Sequence, residues 1–266
     1  MSGLGATFNP ISFAEGRFRR AYMGTWTKPL SKIGQWCVVK KSKETFTWKE
    51  KDWDTTKAVQ EEAQTFADEF NNHFRTNYPI RFTEVNVLQV TSVPNLKDAP
   101  KLNEYVVTED YIDGEFKKWC NNYGYVSEEA KTTAPSMPAF MHWSWYHTNG
   151  QMMIADLQGA KLTNSYLLTD PVILSDDDQF GCTDTGVEGM LMFFRTHKCN
   201  KFCSSLPAPT ISDFIGIIPP FTLSMCSVAM PSVTNCTAYQ QELKLTRPVK
   251  NAVLRTFRNV AARIQH

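Results

Sequence analysis

The run His197-Lys198-Cys199-Asn200-Lys201-Phe202-Cys203 places three soft donors in one short segment. Zinc takes four tetrahedral ligands, so if this run is a metal site the fold must bring a fourth ligand from far away. His73, His142, His147 and His266 are the imidazoles available. Thiols four positions apart share one face of a helical turn. The competing reading is a pair of buried helix thiols beside a surface histidine, since cysteine is among the most buried residue types. Seven cysteines, odd in number and widely spread apart from this pair, fit reduced thiols better than a disulfide framework.

A chain of 266 residues suits one two-lobed domain or two small ones. With 42% hydrophobic and 21% charged residues, it is neither disordered nor low-complexity. The 28 basic and 27 acidic residues nearly cancel, leaving no large electrostatic term for a nucleic-acid backbone or an anionic membrane. Met1-Ser2-Gly3-Leu4-Gly5 has no basic region before an apolar stretch, and Ser2 departs from the myristoylation pattern, so a cytoplasmic location is expected. The charge-free stretch Phe214 to Gln241 carries Pro219-Pro220 and many Ser, Thr and Asn residues, and reads as a tail, not a membrane span.

Residues Phe13 to Lys40 alternate basic and apolar positions, with Trp36-Cys37-Val38-Val39 a strand ending at Lys40 and Lys41. From Thr56 the period changes: Val59, Ala63, Phe66, Ala67 and Phe70 form the stripe of an amphipathic helix. Further strands are expected at Val85 to Val90 and at Tyr105 to Thr108. Asn149-Gly150, the preferred type I′ pair, predicts a hairpin of Phe140 to Thr148 with Gln151 to Asp156, in which Trp145 faces Ile154, Trp143 faces Asp156 and His142 faces Leu157. His142 and Asp156 then lie on opposite faces of the ladder. A helix over Gly186 to Phe202 follows, and Val249, Val253, Phe257 and Val260 mark a basic docking helix within Lys244 to His266.

Asp156-Leu157-Gln158-Gly159 and Leu168-Thr169-Asp170-Pro171 place two carboxylates and an amide oxygen near strand ends, donors suited to Mg²⁺ and to polarising a hydroxyl. Each taken alone also reads as an ordinary turn. Lys40 at a strand end has the reach for phosphates. No Walker loop, G-x-G-x-x-G fingerprint or H-E-x-x-H occurs.

Taken together and in order, these elements are more specific. Phe13-Ala14-Glu15-Gly16 with Arg19, Val38-Val39-Lys40, Asp113-Gly114-Glu115-Phe116-Lys117-Lys118 with Asn121-Asn122, and His142-Trp143 are followed by Thr148-Asn149-Gly150 and Asp156-Leu157-Gln158-Gly159. Leu168-Thr169-Asp170-Pro171, Gly189-Met190, Phe193-Phe194 and His197-x-Cys199-Asn200-x-x-Cys203 complete the series. From about Phe13 to Leu206 the chain resembles the atypical alpha-type protein kinases, the family of the myosin heavy chain kinases.

That resemblance implies an α+β, two-lobed protein-kinase-like fold with the nucleotide in the cleft and a structural zinc in the C-terminal lobe. It divides the chain into a catalytic domain, 1–206, and a tail, 207–266. By the same resemblance Lys40 contacts the ATP phosphates, Arg19 lies in the loop near them, and Glu109 to Tyr111 form the hinge beside adenine, offering mainly backbone groups. Asp156 and Gln158 resemble the Mg²⁺ ligands, Asp170 the residue that orients or deprotonates the acceptor hydroxyl, and His142, His197, Cys199 and Cys203 the zinc ligands. The implied activity is a serine/threonine protein kinase, threonine favoured, acting on a protein substrate, with neither nucleic acid nor membrane as partner. The alternatives are a zinc-stabilised pseudokinase serving as an interaction module and a zinc hydrolase; the latter requires an open metal position, which four protein ligands do not leave. Asp156 and Asp170 are 14 positions apart, longer than in compact members of the family, which marks Lys161 to Tyr166 as an inserted turn. The stretch Gly181 to Gly186 is irregular for the family.

Overall fold

The computed structural model describes residues 3–92, 96–218 and 245–264. The chain forms two compact units, the first from residues 1–62 and 82–114, the second from 63–81 and 115–266. Most of the uncharged stretch, from 219 to 241, lies outside the described residues, as does His266. Among the described residues no helix is long and apolar enough to cross a membrane.

The first unit is built on a five-stranded sheet, order β1-β2-β3-β6-β5, from β1 (Gly5–Glu15), β2 (Arg19–Lys28), β3 (Trp36–Ser42), β5 (Asn86–Gln89) and β6 (Tyr105–Asp110). Ala21 faces Lys40, Lys40 faces Val107 and Val38 faces Glu109 in the antiparallel ladders. Side chains alternate across a strand, so Tyr22, Trp26, Cys37, Val39 and Val106 share one face and form its apolar core, while Arg19, Lys40 and Glu109 share the other. The strands expected in this half are present.

The expected amphipathic helix is α1 (Asp54–Phe74), with Val59, Ala63, Phe66, Ala67 and Phe70 all buried. Its Asn71 side chain donates to the Ile80 carbonyl at 2.7 Å and accepts from the Ile80 amide at 2.9 Å, which starts β4 (Ile80–Phe82).

In the second unit β4 opens a four-stranded sheet, order β4-β10-β9-β7, with β7 (Lys117–Lys118), β9 (Gln158–Lys161) and β10 (Tyr166–Thr169). A separate antiparallel pair joins β8 (Met152–Ala155) to β11 (Val172–Ser175). Helices α2 (Glu128–Thr132), α3 (Ser136–His147), α4 (Gly186–Thr196) and α5 (Arg247–Ala261) complete the unit.

The predicted hairpin at Asn149-Gly150 is not formed. Residues 136–147 are helix α3, and β8 pairs with β11 instead, so the pairings of Trp145, Trp143 and His142 across a ladder do not exist. Every residue from Ser136 to Trp145 is buried, so the apolar run has no amphipathic period to announce a helix. Asn149 and Gly150 do take the left-handed conformation, φ 52° and 78°, that a type I′ turn demands. Here it ends a helix: the Gly150 amide donates to the Trp145 carbonyl at 2.8 Å and Asn149 to Tyr146 at 3.0 Å. Helix α4 likewise stops at Thr196, short of the predicted Phe202, so Cys199 and Cys203 sit on a turn beyond it.

The predicted terminal helix is α5. Its Val253, Leu254, Phe257 and Val260 are buried, and the Phe257 ring lies 5.5 Å from Trp145, 5.6 Å from Phe214 and 6.2 Å from Phe194. Lys250 reaches Glu188 at 3.1 Å, and Arg258 reaches Asp176 at 3.0 Å.

Candidate functional site

On the polar face of the first sheet, Lys40 Nζ donates to Glu109 Oε1 at 2.7 Å, and both side chains are buried. Glu109 Oε2 accepts from the Thr83 hydroxyl at 2.5 Å, and Gln60 Nε2 donates to the Thr83 carbonyl at 2.6 Å and to its hydroxyl oxygen at 3.1 Å. This buried chain holds the lysine at a fixed place, because a charge out of water persists only with a partner. Glu109 thus contributes its carboxylate to this network. The Tyr111 amide donates to the Trp36 carbonyl at 3.0 Å. Arg19 lies on the same face as Lys40, its guanidinium 2.9 Å from the Thr56 hydroxyl and 5.3 Å over the Trp53 ring.

In the second unit, Ala155 faces Val172 and Gln158 faces Thr169, one continuous register over the ribbon 152–175. The ribbon is interrupted only at the junction, where Asp156 and Asp170 both take left-handed backbone conformations, φ 57° and 49°. Such a conformation is uncommon outside glycine, although Asp tolerates it better than most. The expected turn over Lys161 to Tyr166 is the tip of the β9–β10 hairpin, whose closure returns Asp170 to the level of Asp156. Gly159 allows the close approach: a Cβ there would collide with the Leu167 carbonyl oxygen. Lys118 Nζ donates to Asp156 Oδ1 at 2.7 Å, and Gln158 Nε2 donates to Oδ2 at 3.2 Å. Burial raises the Asp156 carboxyl above its usual range; the Lys118 ammonium opposes this and the charge of Asp170 adds to it.

Lys118, the counter-ion of Asp156, received no role from sequence, although it closes the Asp113 to Lys118 motif. Its signal is its place on a two-residue strand paired to Gln158. Thr83 and Gln60 were also missed; neither belongs to a recognisable motif. The carboxylate of Asp156 and the amide oxygen of Gln158 are hard donors that suit Mg²⁺ when phosphate and water supply the remaining positions.

His142, His197, Cys199 and Cys203 come together, their ligand atoms all within 4.8 Å of one another. Cys199 Sγ is 3.7 Å from His142 Nδ1, and Cys203 Sγ is 3.5 Å from His197 Nε2. Tetrahedral Zn–N and Zn–S bonds imply donor separations of about 3.3–3.8 Å, so the set fits zinc in chemistry and these two separations lie in that range. His142 Nε2 lies 3.0 Å from the Pro207 carbonyl, a contact that leaves Nδ1 as the ligand atom. The Asn200 amide donates to Cys203 Sγ at 3.4 Å. Burial pushes the imidazoles down, His142 to about 4 and His197 to about 3, keeping them neutral as metal ligands must be. His147 lies elsewhere, 2.8 Å from Glu69, and His73 packs on Phe74. The cluster joins helix α3 to the turn after α4, not a hairpin strand to a helix.

The family model for alpha-kinases matches residues 14–203. The chain is 32% identical over 203 residues to alpha-protein kinase vwkA of Dictyostelium discoideum, covering 74% of this chain and 30% of that protein. With human eukaryotic elongation factor 2 kinase it shares 31% identity over 149 residues, 56% of this chain and 19% of that one. It thus spans less than a third of the length of these two relatives. Among solved structures, an alpha kinase from Entamoeba histolytica superposes with a TM-score of 0.64 at 25% identity, over 77% of this chain and 79% of that one. The alpha-kinase domain of myosin-II heavy chain kinase A in complex with AMP-PNP superposes with a TM-score of 0.62 at 25% identity, over 76% and 87%. The matched span takes in the ordered motifs, the Lys40–Glu109 pair, the two left-handed aspartates and the histidine–cysteine cluster, and by it this chain belongs to the alpha-kinase family.

Proposed function

We propose that the chain is an ATP- and Mg²⁺-dependent serine/threonine protein kinase, threonine favoured, carrying a structural zinc and acting on protein substrates in the cytoplasm. The observation that carries the reading is the β ribbon broken at Asp156 and Asp170, with Lys118 and Gln158 already oriented on Asp156. Backbone strain held at two carboxylates is a feature of functional sites, because surrounding structure has to over-determine it. Phosphoryl transfer needs positioning and charge neutralisation more than covalent chemistry.

In this reading Lys40, fixed by Glu109, neutralises phosphate charge, and Arg19 adds to it. Asp156 and Gln158 hold Mg²⁺, which when bound offsets the negative charge of the phosphates. Lys118 keeps Asp156 oriented. Asp170 accepts a hydrogen bond from the acceptor hydroxyl and takes its proton as the oxygen attacks. Zinc bound by His142, His197, Cys199 and Cys203 has no open position and supplies a cross-link, not chemistry.

The test is incubation with labelled ATP, Mg²⁺ and a generic basic protein or helical peptide, scored for phosphothreonine and phosphoserine. Transfer that requires Asp170 is the expected result. Nucleotide binding without transfer would leave the interaction module in its place.

A further inference from the structure

The hairpin between Asp156 and Asp170 is anchored at its tip. Its tip is closed by the Leu162 amide donating to the Ser165 carbonyl at 2.8 Å. There the Lys161 ammonium lies 4.4 Å over the Tyr78 ring and 5.8 Å over Tyr166, with the two rings 6.1 Å apart. Tyr78 belongs to the segment leaving α1, and the adjacent Pro79 carbonyl accepts from the Tyr166 amide at 2.9 Å. Tyr166 also packs edge-on against Trp119, centroids 5.4 Å apart, and the Trp119 amide donates to the Leu157 carbonyl at 2.9 Å, inside the ribbon's break. A contiguous set of contacts therefore runs from Tyr78 through Lys161, Tyr166 and Trp119 to the residue beside Asp156.

The inner half of this ribbon, β8 with β11, is almost wholly buried, which fixes one side of the break. The outer half is buried at Gly159, Ala160, Tyr166, Leu168 and Thr169, and its exposed end at Lys161 is held by short edge pairings, two residues on β7 and three on β4, and by its tip. Strained residues hold their geometry only if both sides are held.

We propose that Tyr78 and Lys161 are positioning residues: by clamping the tip of the hairpin they set the relative placement of Asp156 and Asp170 for phosphoryl transfer. This rests on the kinase reading above. Neither residue touches the reacting groups, and Tyr78 is 38% exposed, so its removal leaves the core intact.

The test is steady-state kinetics of the full chain with Tyr78→Ala, Lys161→Ala, the double variant and the conservative Tyr78→Phe and Lys161→Arg. Each alanine variant should lower kcat by about threefold to tenfold with KM for ATP unchanged, since small misplacements of reacting groups are amplified in rate. The double variant should be no worse than either single one, because both break the same contact. Phe keeps the ring face and Arg keeps the cation, so both conservative variants should retain the wild-type rate. Hydrogen exchange should rise at 156–158 and 169–170 in Tyr78→Ala. An active wild type with unchanged kcat in Tyr78→Ala, or a Tyr78→Phe variant as slow as Tyr78→Ala, overturns the positioning role alone. A wild type without transfer removes the kinase reading and this proposal together.

Discussion

Replacing Glu109 probes the site and the stability of the first unit at once. Its carboxylate stands 2.7 Å from Lys40 Nζ, with the two side chains 2% and 9% exposed, so solvent screens the pair little. Breaking a buried ion pair by removing one partner destabilises by about 3–5 kcal/mol, because a buried charge is left without compensation. Glu109→Ala also takes the acceptor from the Thr83 hydroxyl, worth about 1–3 kcal/mol more when a buried donor loses its partner. Against a total stability of about 5–15 kcal/mol, that leaves the variant near the edge of unfolding. Glu109→Gln keeps one acceptor for Lys40 but loses the charge and turns an amide N–H toward the Thr83 hydroxyl, so its cost should fall below that of Glu109→Ala without vanishing. Lys40→Met with Glu109→Met removes both charges, and its cost should fall below that of Glu109→Ala alone. Urea unfolding followed by tryptophan fluorescence gives the comparison as a midpoint at constant slope. If Glu109→Ala costs under about 1 kcal/mol, or the single-variant costs simply add in the double, the pair is not the buried, coupled unit argued above.

Lys40→Ala should weaken ATP binding and abolish transfer, whereas Asp170→Ala should leave ATP affinity intact and lower kcat by about 10²–10⁴, as loss of a general base does. Equilibrium nucleotide binding beside a transfer assay separates them; near-normal phosphorylation by Asp170→Ala sinks the assignment. Elemental analysis should find about one zinc per chain, and chelation or Cys203→Ser should lower the melting temperature, because structural zinc contributes folding free energy. A metal-free chain with an unchanged melting profile counts against the clamp. Phe257→Ala in α5 should destabilise by about 3–5 kcal/mol, the range for a buried aromatic truncated to alanine. A loss below about 1 kcal/mol would mean that the helix is only loosely applied to Trp145 and Phe194.

Much of this protein was legible in local pattern. The stripe from Val59 to Phe70, the alternation through Lys40 and the apolar face of α5 each recur at the period of the element they form, and periodicity is a property of near neighbours. The donor types of the histidine–cysteine run and the order of the motifs from Phe13 to Cys203 are likewise written along the chain. Tertiary structure decided the rest. Residues 136–145 are buried on every side, so no period distinguishes helix from strand, and the left-handed Asn149-Gly150 pair serves a helix end as well as a hairpin. That choice follows from β8 finding its partner in β11, a pairing across some twenty residues that no local window contains. Spacing left four imidazoles open and only the ordered motifs singled out His142; that Glu109 turns its carboxylate to Lys40 and that Lys118 rests on Asp156 are distant meetings with no such guide. They depend on packing that assembles separate segments, whereas sequence pattern records only what each segment prefers alone.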